Sequence, residues 1–84
     1  MEDYYATLRV RPGASRAEIE RSYRRLARIY HPDLLRDATP EARQRAETML
    51  KRINVAYSVI GDPRRRREYD RERAERYARR EDFY

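Results

Sequence analysis

The amino-acid sequence predicts an all-α fold: a short first helix, an antiparallel hairpin of two long helices, and a charged C-terminal helix. Three observations carry this prediction. Apolar residues recur at helical spacing in two long segments, start and stop signals bracket those segments, and no stretch alternates apolar and polar residues as a half-buried strand would. With 84 residues and 39% hydrophobic content, the chain supports one small domain whose core must come from apolar residues gathered on helix faces. Eight tyrosines against one phenylalanine point to a thin core, because tyrosine buries its ring while its hydroxyl stays in contact with water.

Residues 3–8 form a short apolar-aromatic segment, expected as one or two helical turns and stopped at Val10-Arg11-Pro12-Gly13. Pro12 restricts the residue before it, and Gly13 permits dihedrals that other residues avoid. Ser15 with Glu18 three residues on matches a capping box, so a helix starts near Arg16. Ile19, Tyr23, Leu26, Ala27 and Tyr30 then make one helical stripe, while Arg21, Arg24, Arg25 and Arg28 make a second stripe displaced from it. This helix is expected to pack on one side and carry positive charge on another. Pro32 disfavours helical dihedrals at His31 and ends the run.

Thr39-Pro40 is the next start signal, a hydroxyl cap followed by proline at the first helical position. Ala42, Ala46, Met49, Leu50, Ile53, Tyr57 and Ile60 trace a stripe as far as Gly61, a residue type favoured just past helix ends. The helix should be roughly 30 Å long at about 1.5 Å per residue. Two such helices joined by a loop pack antiparallel with their stripes facing, which leaves His31-Pro32-Asp33 at the end of the hairpin. Asp62-Pro63 restarts a helix, and from Arg64 onward only Tyr69, Ala74, Tyr77 and Ala78 interrupt the charges. That last helix is expected to be mostly solvated, with pairs such as Glu68–Arg71 and Glu72–Arg76 each adding about 0.2–0.5 kcal/mol of support.

The net charge of +6 gathers near the C-terminus, where residues 64–80 hold nine arginines against four acidic residues. Arg64, Arg65, Arg66 and Arg67 could contact nucleic-acid phosphates, and this is the alternative functional reading. Interleaved acids weaken it, and four consecutive side chains point around the whole helix instead of toward one groove. The absence of cysteine excludes disulfides and thiolate metal sites and agrees with a reducing compartment. With no apolar run near the roughly 20 residues of a membrane span and no signal-peptide pattern, a soluble cytoplasmic protein is expected. One histidine and no cysteine leave no nucleophile–base pair, and Asp33, two residues from His31, cannot complete a catalytic site. One imidazole among scattered carboxylates is not a metal-ligand set either, so neither an enzyme nor a metal or cofactor is expected.

The assembled pieces resemble the J-domain of DnaJ-type co-chaperones, the heat-shock 40 class. The resemblance rests on Asp3-Tyr4-Tyr5 with Leu8 and Val10, Tyr23-Arg24-Arg25-Leu26-Ala27, and Tyr30-His31-Pro32-Asp33. It continues through Ile53, Ala56-Tyr57, Val59-Ile60, Asp62-Pro63 with Arg66, and Tyr69-Asp70, and so covers residues 3–70. It implies a module that docks on the ATPase domain of a DnaK-type chaperone, the heat-shock 70 class, and stimulates ATP hydrolysis so that client peptide is trapped. By the same likeness His31, Pro32 and Asp33 are the activating loop. Arg21, Arg24, Arg25 and Arg28 are the docking face, and Arg66 is a secondary site residue. Clients would bind through regions outside this chain. Residues 1–70 are expected as the J-domain and residues 71–84 as a charged helical extension.

Each assignment has a plainer counterpart. His31 by itself would be a helix-terminal histidine bonded to a last-turn carbonyl. Tyr23, Tyr30 and Tyr57 are expected in the core, and an arginine stripe is ordinarily a solvated face. A J-like scaffold that has lost activation is a further possibility. Four positions depart from the family pattern: Arg9 stands where glycine is frequent, Glu20 interrupts the basic helix, and Leu34 and Leu35 replace a basic and polar pair. Those leucines can pack inward as a cap or meet the partner; inward packing is the expectation.

Overall fold

The computed structural model describes residues 2–82, with side chains to residue 79. Four helices follow in order: α1 (Tyr4–Thr7), α2 (Arg16–Ile29), α3 (Pro40–Ile60) and α4 (Pro63–Asp82), with a 3₁₀ turn at Pro32–Leu35 between α2 and α3. No strand occurs among the described residues. The helix starts follow the polar caps. Asp3 accepts from the Ala6 N–H at 3.1 Å, Thr39 Oγ1 from the Ala42 N–H at 3.1 Å, and Asp62 from the Arg65 N–H at 2.9 Å. At α2 the capping box closes in both directions, with Glu18 N–H donating to Ser15 Oγ at 3.1 Å and Ser15 N–H donating to Glu18 Oε1 at 3.4 Å.

The two glycine-type positions behave differently from a simple reading. Gly61 follows α3 at φ −79°, an ordinary right-handed value, so its conformational freedom is not what the site uses. A Cβ there would lie 2.5 Å from the Tyr57 carbonyl oxygen and 2.8 Å from its ring, and this close approach excludes a side chain. The left-handed helix cap falls instead on Arg9, at φ 57° after α1. Its N–H donates to the Ala6 carbonyl and the Val10 N–H to the Tyr5 carbonyl, both at 3.0 Å. This is the Schellman pattern, in which glycine is the usual left-handed residue because it has no Cβ.

The core lies where α1, α2 and α4 meet α3. Tyr5, Leu8, Ile19, Leu26, Ile53 and Ile60 are each under 2% exposed, and Ala14, Ala56 and Tyr69 complete the cluster. Fully burying a leucine or isoleucine contributes about 1.5–3 kcal/mol. Tyr23 and Tyr57 sit at its margin, their rings stacked at 4.0 Å, and the Tyr23 hydroxyl donates to Asn54 at 2.9 Å. Among the described residues Ser22 is the one polar side chain in the buried set, and its hydroxyl donates to the Leu8 carbonyl. Its position three residues after Ile19 and four before Leu26 places it on the packing stripe, the signal that apolar counting passes over.

α4 departs from the expected solvated helix along one face. Arg66 donates from Nε to the Tyr5 hydroxyl at 3.0 Å and from Nη2 to the carbonyls of Pro12 and Ala14 at 3.0 and 2.7 Å. The Tyr5 hydroxyl in turn donates to Asp70. Tyr69 donates to the Glu2 carbonyl at 2.7 Å, accepts from the Tyr4 N–H at 3.0 Å, and stacks on Tyr4 with ring centroids 4.9 Å apart. One turn further, the Arg73 guanidinium lies 3.8 Å from Asp3 and over the rings of Tyr5 and Tyr77 at 5.6 and 5.4 Å. The expected Glu68–Arg71 and Glu72–Arg76 pairs do not form; Glu68 pairs with Arg64 at 3.5 Å instead. Exposed pairs differ so little in energy that the arrangement is set by small rotamer preferences.

These contacts make two predictions. Arg66→Ala should cost about 2 kcal/mol, since it leaves three acceptors without a charged donor, and lower the unfolding midpoint by roughly 10 °C. Arg66→Lys should rescue little of this, because an ammonium cannot span the acceptors of a planar fork. Burial, and then the bond to Asp70, raises the Tyr5 hydroxyl above its ordinary value of 10.0, and burial likewise raises Tyr69. A raised value in the folded state means the stabilisation is intact below pH 10.0 and is lost as pH climbs through the folded values. Urea unfolding across pH 8 to 11 should therefore show falling stability only at the alkaline end, and Tyr5→Phe should flatten that fall.

Candidate partner-docking site

The end of the α2–α3 hairpin carries the sequence-predicted triplet. α2 stops at Ile29, and Pro32 opens the 3₁₀ turn at its first position, where its missing N–H costs nothing. His31 is the cap of that turn: its Nδ1 accepts from the Asp33 N–H at 3.2 Å. The imidazole is thus bonded forward into the turn and not back to a last-turn carbonyl, and Nε2 becomes its N–H donor. Asp33 Oδ2 is 3.7 Å from Nδ1, beyond hydrogen-bond reach. The side chains of His31 and Asp33 are 54% and 75% exposed, so a carboxylate and a ring N–H are both presented to solvent from a proline-stiffened turn.

Arg21, Arg24, Arg25 and Arg28 are all exposed, on the face of α2 opposite buried Ile19, Ser22 and Leu26. Glu20 pairs with Arg24 at 2.7 Å, so the residue that interrupts the basic helix partly neutralises one of its members. Arg25 lies 3.4 Å from Ser22 Oγ. Among the described residues no carboxylate lies within ion-pair distance of Arg21, Arg25 or Arg28, and their positive field extends outward uncompensated. Arg9 reaches the end of the same helix, donating from Nη2 to the Tyr30 hydroxyl at 3.3 Å. Spacing along the chain carries no sign of this contact, which bridges residues 21 apart.

The four consecutive arginines of α4 are divided among different tasks. Arg64 pairs with Glu68, Arg65 donates to the Ser58 carbonyl at 3.3 Å, and Arg66 is the internal clasp. Arg67 stands apart from these contacts, and Arg66, the residue that the resemblance implies as a secondary site, is bonded into the fold. The leucines after the triplet also separate. Leu35 is partly buried, but Leu34 is 66% exposed, which corrects the expectation that both pack inward. The 3₁₀ turn is the reason: at about three residues per turn, consecutive side chains are thrown to different sides.

A scan against protein families matches this chain to the DnaJ domain over residues 3–70. The chain belongs to the DnaJ-domain family. It is 51% identical over 69 residues to the Chaperone protein DnaJ 2 of Thermus thermophilus, and 49% identical over 69 residues to the Chaperone protein DnaJ of Caldicellulosiruptor saccharolyticus. It is also 46% identical over 69 residues to the DnaJ homolog subfamily C member 11 of Mus musculus. Each match covers 82% of this chain but only 22%, 16% and 12% of those proteins, so the shared part is the DnaJ domain. α4 runs on unbroken past residue 70, where the family match ends. Residues 83–84 of the expected extension lie outside the described residues. No described helix is long and apolar enough to cross a membrane.

The split between the leucines is testable. Leu34→Ser should leave stability within about 0.5 kcal/mol of wild type, as exposed substitutions do, whereas Leu35→Ala should cost about 1 kcal/mol. Paired thermal melts of the two variants would measure the difference.

Proposed function

We propose that this DnaJ domain is a co-chaperone module that docks on the ATPase domain of a DnaK-type chaperone through the arginine face of α2 and stimulates its ATP hydrolysis through His31, Pro32 and Asp33. The observation that carries the reading is the exposed, stiffened triplet set directly beyond a helix whose outward face holds Arg21, Arg24, Arg25 and Arg28. The free carboxylate of Asp33 suits a bidentate pair with a partner arginine. Pro32 and the His31 cap hold the turn in shape before contact, so little ordering entropy is lost on docking. Arginines without internal partners steer an acidic surface toward the face and speed encounter. The hydrolytic chemistry belongs to the partner; this chain supplies contacts and no reacting group.

On this reading residues 1–70 are the docking module, residues 71–84 a helical extension of it, and client proteins are held by regions outside this chain. A cytoplasmic setting accords with the cysteine-free sequence.

His31→Gln and Asp33→Asn should each reduce stimulation of a DnaK-type ATPase to its basal rate in single-turnover assays, with the helical circular dichroism unchanged. Equal stimulation by wild type and both variants would overturn the proposal. Arg24→Glu with Arg25→Glu should slow association about tenfold at low ionic strength and much less near 1 M salt, where the screening length shrinks to about 3 Å.

A further inference from the structure

Arg9 combines three properties. It occupies the left-handed position of the Schellman cap at φ 57°, where a side chain strains its own backbone and glycine would not. It has no carboxylate within ion-pair distance among the described residues, so no internal ion pair offsets that strain. And it stands against α2: with Val10, Glu18, Arg21, Ser22 and Arg25 it lines a shallow, open hollow of about 360 Å³. Three arginines against one glutamate give the residues around that hollow a positive balance, and the glutamate is engaged by the Ser15 N–H of the capping box.

We propose that Arg9 belongs to the docking surface: with Arg21 and Arg25 it forms a cradle that receives an acidic side chain of the DnaK-type partner. The inference rests on the preceding functional reading and extends it from one helix face to a two-element surface. The local geometry makes a specific contribution. The α2 arginines alone are a convex row on one helix face, and such a row attracts an acidic surface without selecting a site on it. An arginine from the α1–α2 connection closes one side of the row, so a carboxylate seated there meets guanidinium groups from two directions. The Arg9–Tyr30 bond places one end of this cradle beside the residue that precedes His31, which couples the seat of the acidic side chain to the base of the activating turn. Arg9 offers five N–H donors and this bond uses one, so the rest stay available to a partner.

The arrangement separates a binding role from a structural one by sign. Glycine adopts the left-handed conformation without strain, so Arg9→Gly should leave the fold as stable or raise its melting temperature by a few degrees. The same variant should bind an ATP-loaded bacterial DnaK-type chaperone roughly three- to tenfold more weakly, chiefly through slower association at low salt, and Arg9→Lys should restore part of the rate. The test is surface-immobilised binding kinetics at two salt concentrations for wild type, Arg9→Gly and Arg9→Lys, with melting curves alongside and Asp33→Asn as a reference for lost activation. Weaker, less salt-dependent binding by a fully stable Arg9→Gly protein supports the cradle. Wild-type-like binding and salt dependence in Arg9→Gly, with wild type bound and active, overturns it while leaving the functional reading intact. No binding or stimulation by wild type overturns the functional reading and the cradle with it.

Discussion

Because α1, α2, the 3₁₀ turn and α4 all pack against α3, the geometry of the whole domain rests on one narrow apolar stripe. Ala46, Ile53, Ala56 and Ile60 are its buried members, and all but Ala46 join the central cluster with residues from three other helices. In a domain of this size so few buried side chains leave a small margin of stability. The position of the His31-Pro32-Asp33 turn follows from that stripe. α2 is held against α3 through Ile19 and Leu26, and the turn inherits its place from the end of α2.

The thin core explains why polar contacts carry so much of the remaining structure. Tyr5 of α1 and Tyr69 of α4 bury their rings and turn their hydroxyls toward Asp70, Arg66 and Glu2, so each adds apolar area and a directed bond. Arg66 reaches two backbone carbonyls of the α1–α2 connection, that of Ala14 in a partly buried place and that of Pro12 at the surface. That connection carries the cap in which Arg9 sits. The clasp on α4 and the proposed cradle on α2 are thus linked through one loop, although their arginines serve different purposes.

Charge segregates accordingly. Arg66 and Arg73 are drawn inward over tyrosine rings and beside Asp70 and Asp3, whereas among the described residues Arg21, Arg25 and Arg28 have no carboxylate within ion-pair distance. A basic composition by itself reads as a uniform surface. The first group is tied into the fold by rings and carboxylates, and the second leaves its charge facing outward.

Helix positions were legible because they depend on local chemistry: the Ser15–Glu18 box, Thr39-Pro40 and Asp62-Pro63 each satisfy orphan backbone donors within three residues. The apolar and arginine stripes of α2 and the triplet were legible for the same reason, since helical periodicity is a property of neighbouring residues. Other features needed partners far apart in the chain. The tasks of Arg66, Tyr5 and Tyr69 span more than 60 positions. Three local features also give no sign in residue type: the close approach of Gly61 to Tyr57, the exposure of Leu34 on a 3₁₀ turn, and the left-handed Arg9 on its cap. The sequence by itself determined the helices, their faces and the loop that joins them. Which charges turn inward, and which arginines stand together around one hollow, was decided only by tertiary packing, because those contacts join residues that no local pattern relates.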